Sequence, residues 1–327
     1  MENSTLPIAK KLTQIAIVVP CFNEVAALAT TIPTLLKSLY ELIDIYDCEA
    51  KSFIVFVDDG SVDETWEKIT EATLTFPETI RGIRLSKNAG HQYALMAGLE
   101  YVTGKCDAVF SIDADLQDDL AAFPLMLEKL RKGFEIILGV KKSRSVDPFL
   151  KKITALWFYK IMKWMGVNLV ANHADCRLIS AKALKHLSKF PEYFLFLRGL
   201  QSLMHNKIAT VSYVLAPRSA GESKYPMKKM LSLAWNGITS FSTMPLRFIS
   251  FTGGIVFIIS LIFAAIAIGK SLTGQSLPGW ASITVPLYLL GGLIMLSIGI
   301  VGEYVAKIFF EVKGRPRFLI DEVLDGL

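Results

Sequence analysis

The sequence predicts an α/β chain in which a doubly wound, mostly parallel sheet is followed by amphipathic helices and then two long apolar helices. Three observations predict it. Short β-branched runs alternate with helical stretches through the first 140 residues. Clusters of acidic and polar residues stand where those runs end. Two uncharged runs, Ile249–Gly269 of 21 residues and Trp280–Gly302 of 23, lie toward the C-terminal end.

Ile15–Pro20 is a continuous apolar run, as a strand covered on both faces requires. Asn23 and Glu24 then open a helical stretch to about Tyr40. Phe53–Val57 is the second strand, ended by Asp58-Asp59-Gly60-Ser61, with a helix from near Asp63. Gly82–Leu85 is a short third strand, and a helix from about Gly90 to Val102 follows it. Ala108–Ile112 is the fourth, broken by Asp113-Ala114-Asp115-Leu116-Gln117; Leu125–Lys132 is helical and Glu135–Val140 is the fifth strand. In such sheets ligands sit beyond the carboxyl ends of the strands. The loops at Asn23-Glu24, Asp58–Ser61 and Asp113–Gln117 are therefore the candidate site.

From Phe149 to Met165, the residues Leu150, Ile153, Trp157, Ile161 and Trp164 fall on one helical stripe, with Lys152, Lys160 and Lys163 on an adjoining one. Tryptophan with lysine in that arrangement suits a lipid headgroup boundary. Tyr225–Met244 reads as a similar helix feeding the first apolar run. Each apolar run is long enough to cross a hydrocarbon core of about 30 Å as a helix. The loop between them, Lys270–Gly279, holds one cation. Lys224, Lys228, Lys229 and Arg247 precede the pair, and Lys307, Lys313, Arg315 and Arg317 follow it. By the positive-inside rule this is a hairpin of an integral protein of the plasma (inner) membrane, with the N-terminal part and both termini cytoplasmic. The expected divisions are 1–145, the part of the cytoplasmic domain that holds the candidate site; 146–247, its basic part with the juxtamembrane helices; 248–310, the two spans (about 249–269 and 280–302); and 311–327, a cytoplasmic tail.

Charge is distributed to match. Residues 1–140 hold 12 basic and 21 acidic side chains, residues 141–247 hold 18 and 4, and residues 248–327 hold 5 and 5. The basic middle beside an apolar tail points to an anionic membrane surface and phosphorylated ligands, and away from nucleic acid. A hydrophobic share of 52% excludes disorder. The four cysteines form neither a C-x-x-C pair nor a zinc-finger spacing, so a disulfide framework is not expected. No G-x-G-x-x-G follows the first strand and no G-x-x-x-x-G-K-[ST] occurs anywhere, which removes dinucleotide-fold and P-loop readings. What remains is a cradle of carboxylates, able to receive a phosphate only through a divalent cation. Asp113, Asp115 and Gln117 alternate as oxygen donors suited to Mg²⁺ or Mn²⁺.

The segments Val19–Glu24, Val57–Asp63, Lys87–Gln92, Asp113–Asp118, Ala174–Leu178, Phe196–Leu200 and Arg218–Tyr225 resemble, in order, the signature of family 2 glycosyltransferases of the GT-A fold. The resemblance is greatest to the polyprenyl-phosphate sugar transferases, which include bactoprenol glucosyltransferases and dolichyl-phosphate mannose synthases. It implies a membrane enzyme that moves one sugar from a nucleotide sugar, UDP-glucose first among donors, to a polyprenyl phosphate (undecaprenyl or dolichyl), with metal and with inversion. It implies that Pro20, Asn23, Glu24, Asp58 and Asp113 bind the donor. Asp113, Asp115 and Gln117 would hold the metal, and Asp115 and Asp175 would stand at the reacting centre, Asp175 either as base or as orienter of the acceptor. Arg144, Arg218 and Lys224 would seat phosphates. Cys176 departs from the pattern, where an aromatic is usual, as does Asp119-Leu120, where a proline is frequent.

Other readings are weaker on the residues. A GDP-mannose donor fits the same motifs. A processive polysaccharide synthase would need Gln-x-x-Arg-Trp, and no tryptophan here follows an arginine. A silent scaffold would have no use for the carboxylates. His173, His186 and His205 lack metal spacing, and Arg177 is expected to support the Asp175 loop. Two spans that cannot enclose a pore, with Gly253-Gly254 and Gly291-Gly292 as possible close contacts, suggest a homo-oligomer.

Overall fold

The computed structural model describes residues 14–46, 48–141, 173–193, 197, 207–213, 239, 242–272 and 279–325. They fall into two units. One holds the sheet, its helices and the stretch from Pro316 onward; the other holds the two long helices up to Arg315.

The strands of the first unit are β1 (Ile15–Cys21), β2 (Phe53–Asp58), β3 (Ile80–Leu85), β4 (Ala108–Ser111), β5 (Ile136–Lys141), β6 (His173–Ser180), β7 (Ile208–Tyr213) and β8 (Ile320–Leu324), in the order β7-β5-β6-β4-β1-β2-β3-β8. β1 pairs in parallel with β2 and β4, β2 with β3, and β5 with β7. The five expected strands are all present, and the α/β, mostly parallel sheet is as expected. Three further strands join it. β6 lies antiparallel between β4 and β5, so β4 and β5 are not neighbours. β8 pairs antiparallel with β3, so a strand within the segment expected as a cytoplasmic tail closes one edge of the sheet.

Among the described residues the helices of this unit are α1 (Val25–Tyr46), α2 (Thr65–Thr75), α3 (His91–Val102), α4 (Ala122–Arg131) and α5 (Ala181–Leu187). Side chains alternate across a strand, so one strand feeds two cores. Ile15, Ile17 and Val19 of β1, with Ile54 and Phe56 of β2, pack in the cluster that takes Leu28, Leu35 and Leu39 of α1 and Phe123 and Met126 of α4. Phe110 stacks on Phe123 at 4.0 Å between centroids. Val18 and Val57 point the other way, toward α3, where a Cβ on Gly98 would stand 2.4 Å from the first and 2.9 Å from the second. Glycine is what lets this helix lie directly on the strands.

The second unit contains α6 (Met244–Leu272) and α7 (Trp280–Lys313), which cover the two expected apolar runs. α6 begins earlier than expected, because Pro245 suits a first helical turn and the Ser242 Oγ accepts the Met244 N–H at 3.1 Å. Tyr304 Oη donates to the Ser242 carbonyl at 2.6 Å, which ties the two helices together. Among the described residues one stretch, Leu289–Lys313, is long and apolar enough to cross a membrane, and Met244–Ile259 is a shorter apolar one. Phe251, Phe257, Ile258 and Phe263 of α6, with Leu287, Met295, Leu296 and Ile298 of α7, are exposed. A Cβ on Gly253, Gly254, Gly291 or Gly292 would meet nothing within 4 Å among the described residues. The expected amphipathic helices at 149–165 and 225–244 lie outside the described residues but for Thr239 and the stretch from Ser242.

Candidate active site

The site lies at the carboxyl ends of β1, β2 and β4, and the connections after β1 and β2 are stitched together by short polar side chains. Asn23, at φ 53°, donates its N–H to Ser61 Oγ at 2.9 Å and accepts the Val62 N–H on Oδ1 at 3.0 Å. Glu24 N–H donates to Thr65 Oγ1, and that hydroxyl donates to Asp63. A left-handed backbone is strained for most side chains but tolerated by asparagine, which hydrogen-bonds locally. Pro20 is buried in the ladder, in register with Val57, so it shapes the end of β1 and offers little open surface.

Asp58 closes β2 with a side chain that is 0% exposed. Burial pushes its carboxyl above the ordinary carboxylate range, against the Ser61 hydrogen bonds and the Arg84 guanidinium, whose Nε stands 3.9 Å away. Asp59 turns the other way. Its two oxygens accept the Ala89 and Gly90 N–H groups at 2.7 and 2.9 Å and so fix the loop that begins α3. The turn between Asp58 and Ser61 requires glycine, because Gly60 has φ +66° and a Cβ there would stand 2.6 Å from the Lys87 backbone.

After β4, Asp113, Asp115 and Gln117 follow in one loop, held from α1 by Thr31 Oγ1 donating to the Ala114 carbonyl at 2.6 Å. Because β6 runs antiparallel to β4, with Ser111 opposite Arg177, its first residues arrive at the same edge. That reversal brings Asp175 to Asp113 across a separation of 62 residues. Ser111 Oγ donates to the Asp175 carbonyl at 3.1 Å, and Arg177 donates to the Asp175 carboxylate at 2.9 Å. Arg177 therefore supports Asp175, as expected from its place in the motif.

One ligand atom each of His91, Asp113 and Asp175 lies within 4.8 Å of the others, with His91 Nε2 at 3.6 Å from Asp113 Oδ1. The surrounding protein first, then Asp175, Asp118 and Asp115, hold the Asp113 carboxyl well above its ordinary value, and Arg177 opposes them. Asp115 Oδ1 accepts the Gln117 N–H at 3.3 Å, so this carboxylate is turned back on its own loop. The Gln117 side-chain nitrogen is buried without a hydrogen-bond partner among the described residues. Four carboxylates set against one guanidinium form a donor set that fits a hard divalent cation. Asp113 is common to the expected set and to the gathered one. His91 and Asp175 were not expected as ligands, and their approach is visible only once β6 is in place.

Of the expected site residues, the fold brings together Asn23, Glu24, Asp58, Asp113, Asp115, Gln117 and Asp175. Arg144, Arg218 and Lys224 lie outside the described residues. Asp59, His91 and Asp118 are additions. Each stands inside a motif quoted above, but its partners are distant in sequence.

Known proteins are similar to this chain. The profile of glycosyl transferase family 2 matches residues 16–188. The uncharacterized glycosyltransferase YkoT of Bacillus subtilis is 44% identical over 307 residues, covering 94% of this chain and 91% of that protein. The prophage bactoprenol glucosyl transferase homolog of Escherichia coli is 36% identical over 312 residues, covering 95% of this chain and 99% of that protein. Among solved structures, the mannosyltransferase PcManGT of Pyrobaculum calidifontis, in complex with GDP-Man and Mn²⁺, aligns at 16% identity with a TM-score of 0.45, over 94% of this chain and 87% of that one.

Proposed function

The chain belongs to glycosyl transferase family 2, and on that premise we propose that it transfers one sugar, glucose from UDP-glucose, to a polyprenyl phosphate. What carries the reading is the meeting of Asp113, Asp175 and His91 at the carboxyl edge of the sheet in a chain that also carries two long apolar helices. The relatives named bactoprenol glucosyl transferase support the acceptor, since their similarity extends over nearly the whole chain.

In the transfer, an oxygen of the lipid phosphate bonds to the anomeric carbon as the bond from that carbon to the donor's β-phosphate oxygen breaks, with inversion, and UDP departs. The acceptor oxygen is already ionised near neutral pH, so no strong base is required. Asp175, braced by Arg177, orients the acceptor side, and rate comes from alignment and from control of developing charge. Asn23, Glu24 and Asp58 hold the nucleoside end. Asp113, Asp115 and Gln117 would hold Mg²⁺ or Mn²⁺, which when bound supplies neutralisation of the diphosphate leaving group. Arg144, Arg218 and Lys224 contribute positive charge toward the phosphates.

α6 and α7 cross the inner membrane as a hairpin, with the cationic flanks and both termini in the cytoplasm, and the exposed apolar side chains face lipid or a second copy in a homo-oligomer. The basic middle segment meets anionic headgroups. The test is nucleotide release by the purified protein in lipid, from UDP-glucose, UDP-N-acetylglucosamine and GDP-mannose, with and without undecaprenyl phosphate, and with Mn²⁺, Mg²⁺ or chelator. Release from UDP-glucose that needs both metal and lipid phosphate is the expected result. Release from GDP-mannose alone would reassign the donor, and release without lipid phosphate would overturn the acceptor.

A further inference from the structure

We propose that Asp118 is a positioning residue that fixes Asp175 opposite Asp113. The inference rests on the transfer site proposed above, and the carboxylate and the backbone amide it ties together are 58 residues apart.

The ladder between β5 and β6 is irregular at this point. Leu138 pairs with Arg177 and Val140 with His173, so two residues advance on β5 while four advance on β6. Three residues of β6, Ala174, Asp175 and Cys176, thus stand against Gly139 alone, and Asp175 is in the middle of that bulge. A bulge of this kind re-aims a side chain at the cost of ladder hydrogen bonds. The amide that follows the re-aimed aspartate has to find another acceptor, since a buried N–H left unpaired is costly. It finds Asp118, whose Oδ2 accepts the Cys176 N–H at 3.2 Å. Asp118 is only 7% exposed and stands immediately after Gln117, in the loop that carries Asp113 and Asp115. One hydrogen bond thus joins the two loops whose carboxylates repel each other. Ser111 and Arg177 brace Asp175 from β4 and β6 themselves; Asp118 braces it from the loop it faces.

β7 covers the same point of the sheet. Tyr213 is 5% exposed, and its ring passes over Gly139: a Cβ there would lie 2.6 Å from Tyr213 Cε1, 3.1 Å from its Oη and 2.8 Å from the Cys176 carbonyl. The Tyr213 hydroxyl is buried there without a hydrogen-bond partner among the described residues, so what the ring supplies is cover over this part of the sheet. Glycine at 139 is what allows a residue of β7 to reach across β5 to the bulge of β6.

The experiment uses the full-length protein in lipid and compares Asp118→Leu and Asp118→Ala, which both remove the acceptor, with the unaltered chain. Two readouts are taken: turnover with UDP-glucose and undecaprenyl phosphate, and peptide-resolved alkylation of the native protein by N-ethylmaleimide. All four cysteines are buried, so each reports the opening of its own surroundings. In both variants Cys176 is expected to alkylate at least about fivefold faster while Cys21, Cys48 and Cys106 keep their rates, as local opening requires. Turnover at saturation is expected to fall about tenfold or more, with the donor KM within about twofold, because misplacement of Asp175 affects alignment more than donor binding. Unchanged alkylation of Cys176, or acceleration of all four cysteines together, would overturn the tether. A normal kcat despite faster alkylation of Cys176 would overturn its connection to the chemistry. A protein that releases no nucleotide from any donor would defeat the functional reading, and alkylation would still decide the tether.

Discussion

Arg177 donates from Nη2 to the Asp175 carboxylate at 2.9 Å, and its own side chain is only 2% exposed. A guanidinium so deeply placed is tolerated because the same residue also donates from Nε to the Asp175 carbonyl at 3.2 Å, so one side chain holds both the backbone and the carboxylate of its neighbour but one. Replacing it with methionine keeps most of the volume and removes both bonds. Arg177→Met is expected to lose about 2–3 kcal/mol of stability, less than a fully enclosed pair because Asp175 is partly open to water. Arg177→Lys keeps the charge without the planar fork and should still lower kcat. Thermal melting in detergent together with steady-state turnover checks both; a lysine variant with unaltered kcat would show that the fork is not needed.

Asp58 makes a prediction of opposite sign. Burial raises its carboxyl pKa in the folded chain, so between the ordinary carboxylate range and that raised value the folded state binds more protons than the unfolded one. Stability therefore falls as pH rises through that window, and above it the ionised, buried group is a standing cost. Asp58→Asn removes the cost. It is expected to raise the melting temperature by about 2–4 °C near neutral pH, with the gain vanishing below the ordinary carboxylate range, while donor affinity drops. A melting temperature that falls at every pH would contradict this account.

The strands β1, β2, β4 and β5 are legible in the sequence because a strand covered on both faces must be apolar throughout, as IAIVVPC and FIVFVD are. β6 is not legible by that rule, since HADCRLIS carries a buried arginine and an aspartate turned out by a bulge. β8 is not legible because IDEVL is short, charged and mostly exposed, and follows a long apolar helix. The site divides the same way. Asp58, Asp113 and Asp115 stand in loops at strand ends that periodicity alone locates. Asp175 was reached only through its motif, and the closeness of His91 to Asp113 and the hydrogen bond from Cys176 to Asp118 depend on which strands are neighbours. Strand order is a long-range property that local pattern does not encode.

Two glycines with positive φ separate backbone strain from steric conflict. At Gly60, φ is +66° and a Cβ would press on the Lys87 backbone; at Gly104, φ is +83° and the space is open. Gly104→Ala should cost about 1 kcal/mol, the price of a left-handed alanine. Gly60→Ala should cost more, about 2–3 kcal/mol, because it also displaces the loop whose Ala89 and Gly90 amides hold Asp59. It should raise the donor KM as well, which Gly104→Ala should not. Equal losses in the two melting temperatures would mean that the Lys87 loop yields without cost.

The last strand is held by charge, and this gives a prediction far from the chemistry. Asp325 pairs with Arg81 at 3.1 Å and Lys105 at 3.5 Å, while Arg317 pairs with Glu100 at 3.3 Å. Burial alone would raise the Asp325 carboxyl, but Tyr101, Arg81 and Lys105 outweigh it and the net shift is downward. A lowered carboxyl contributes stability that is present above the ordinary carboxylate range and is lost as pH falls through the folded value. Asp325→Asn should therefore lower the melting temperature at neutral pH by about 2–4 °C and make no difference in strong acid. Its effect should extend to the donor, because β8 reaches the site through the backbone. Ser86 N–H donates to the Leu319 carbonyl at 2.9 Å, and Lys87–Gly90 follow directly. Loosening β8 frees the loop that Asp59 must hold, so the donor KM should rise several-fold while kcat changes little. A donor KM unmoved by Asp325→Asn would confine β8 to closing the edge of the sheet.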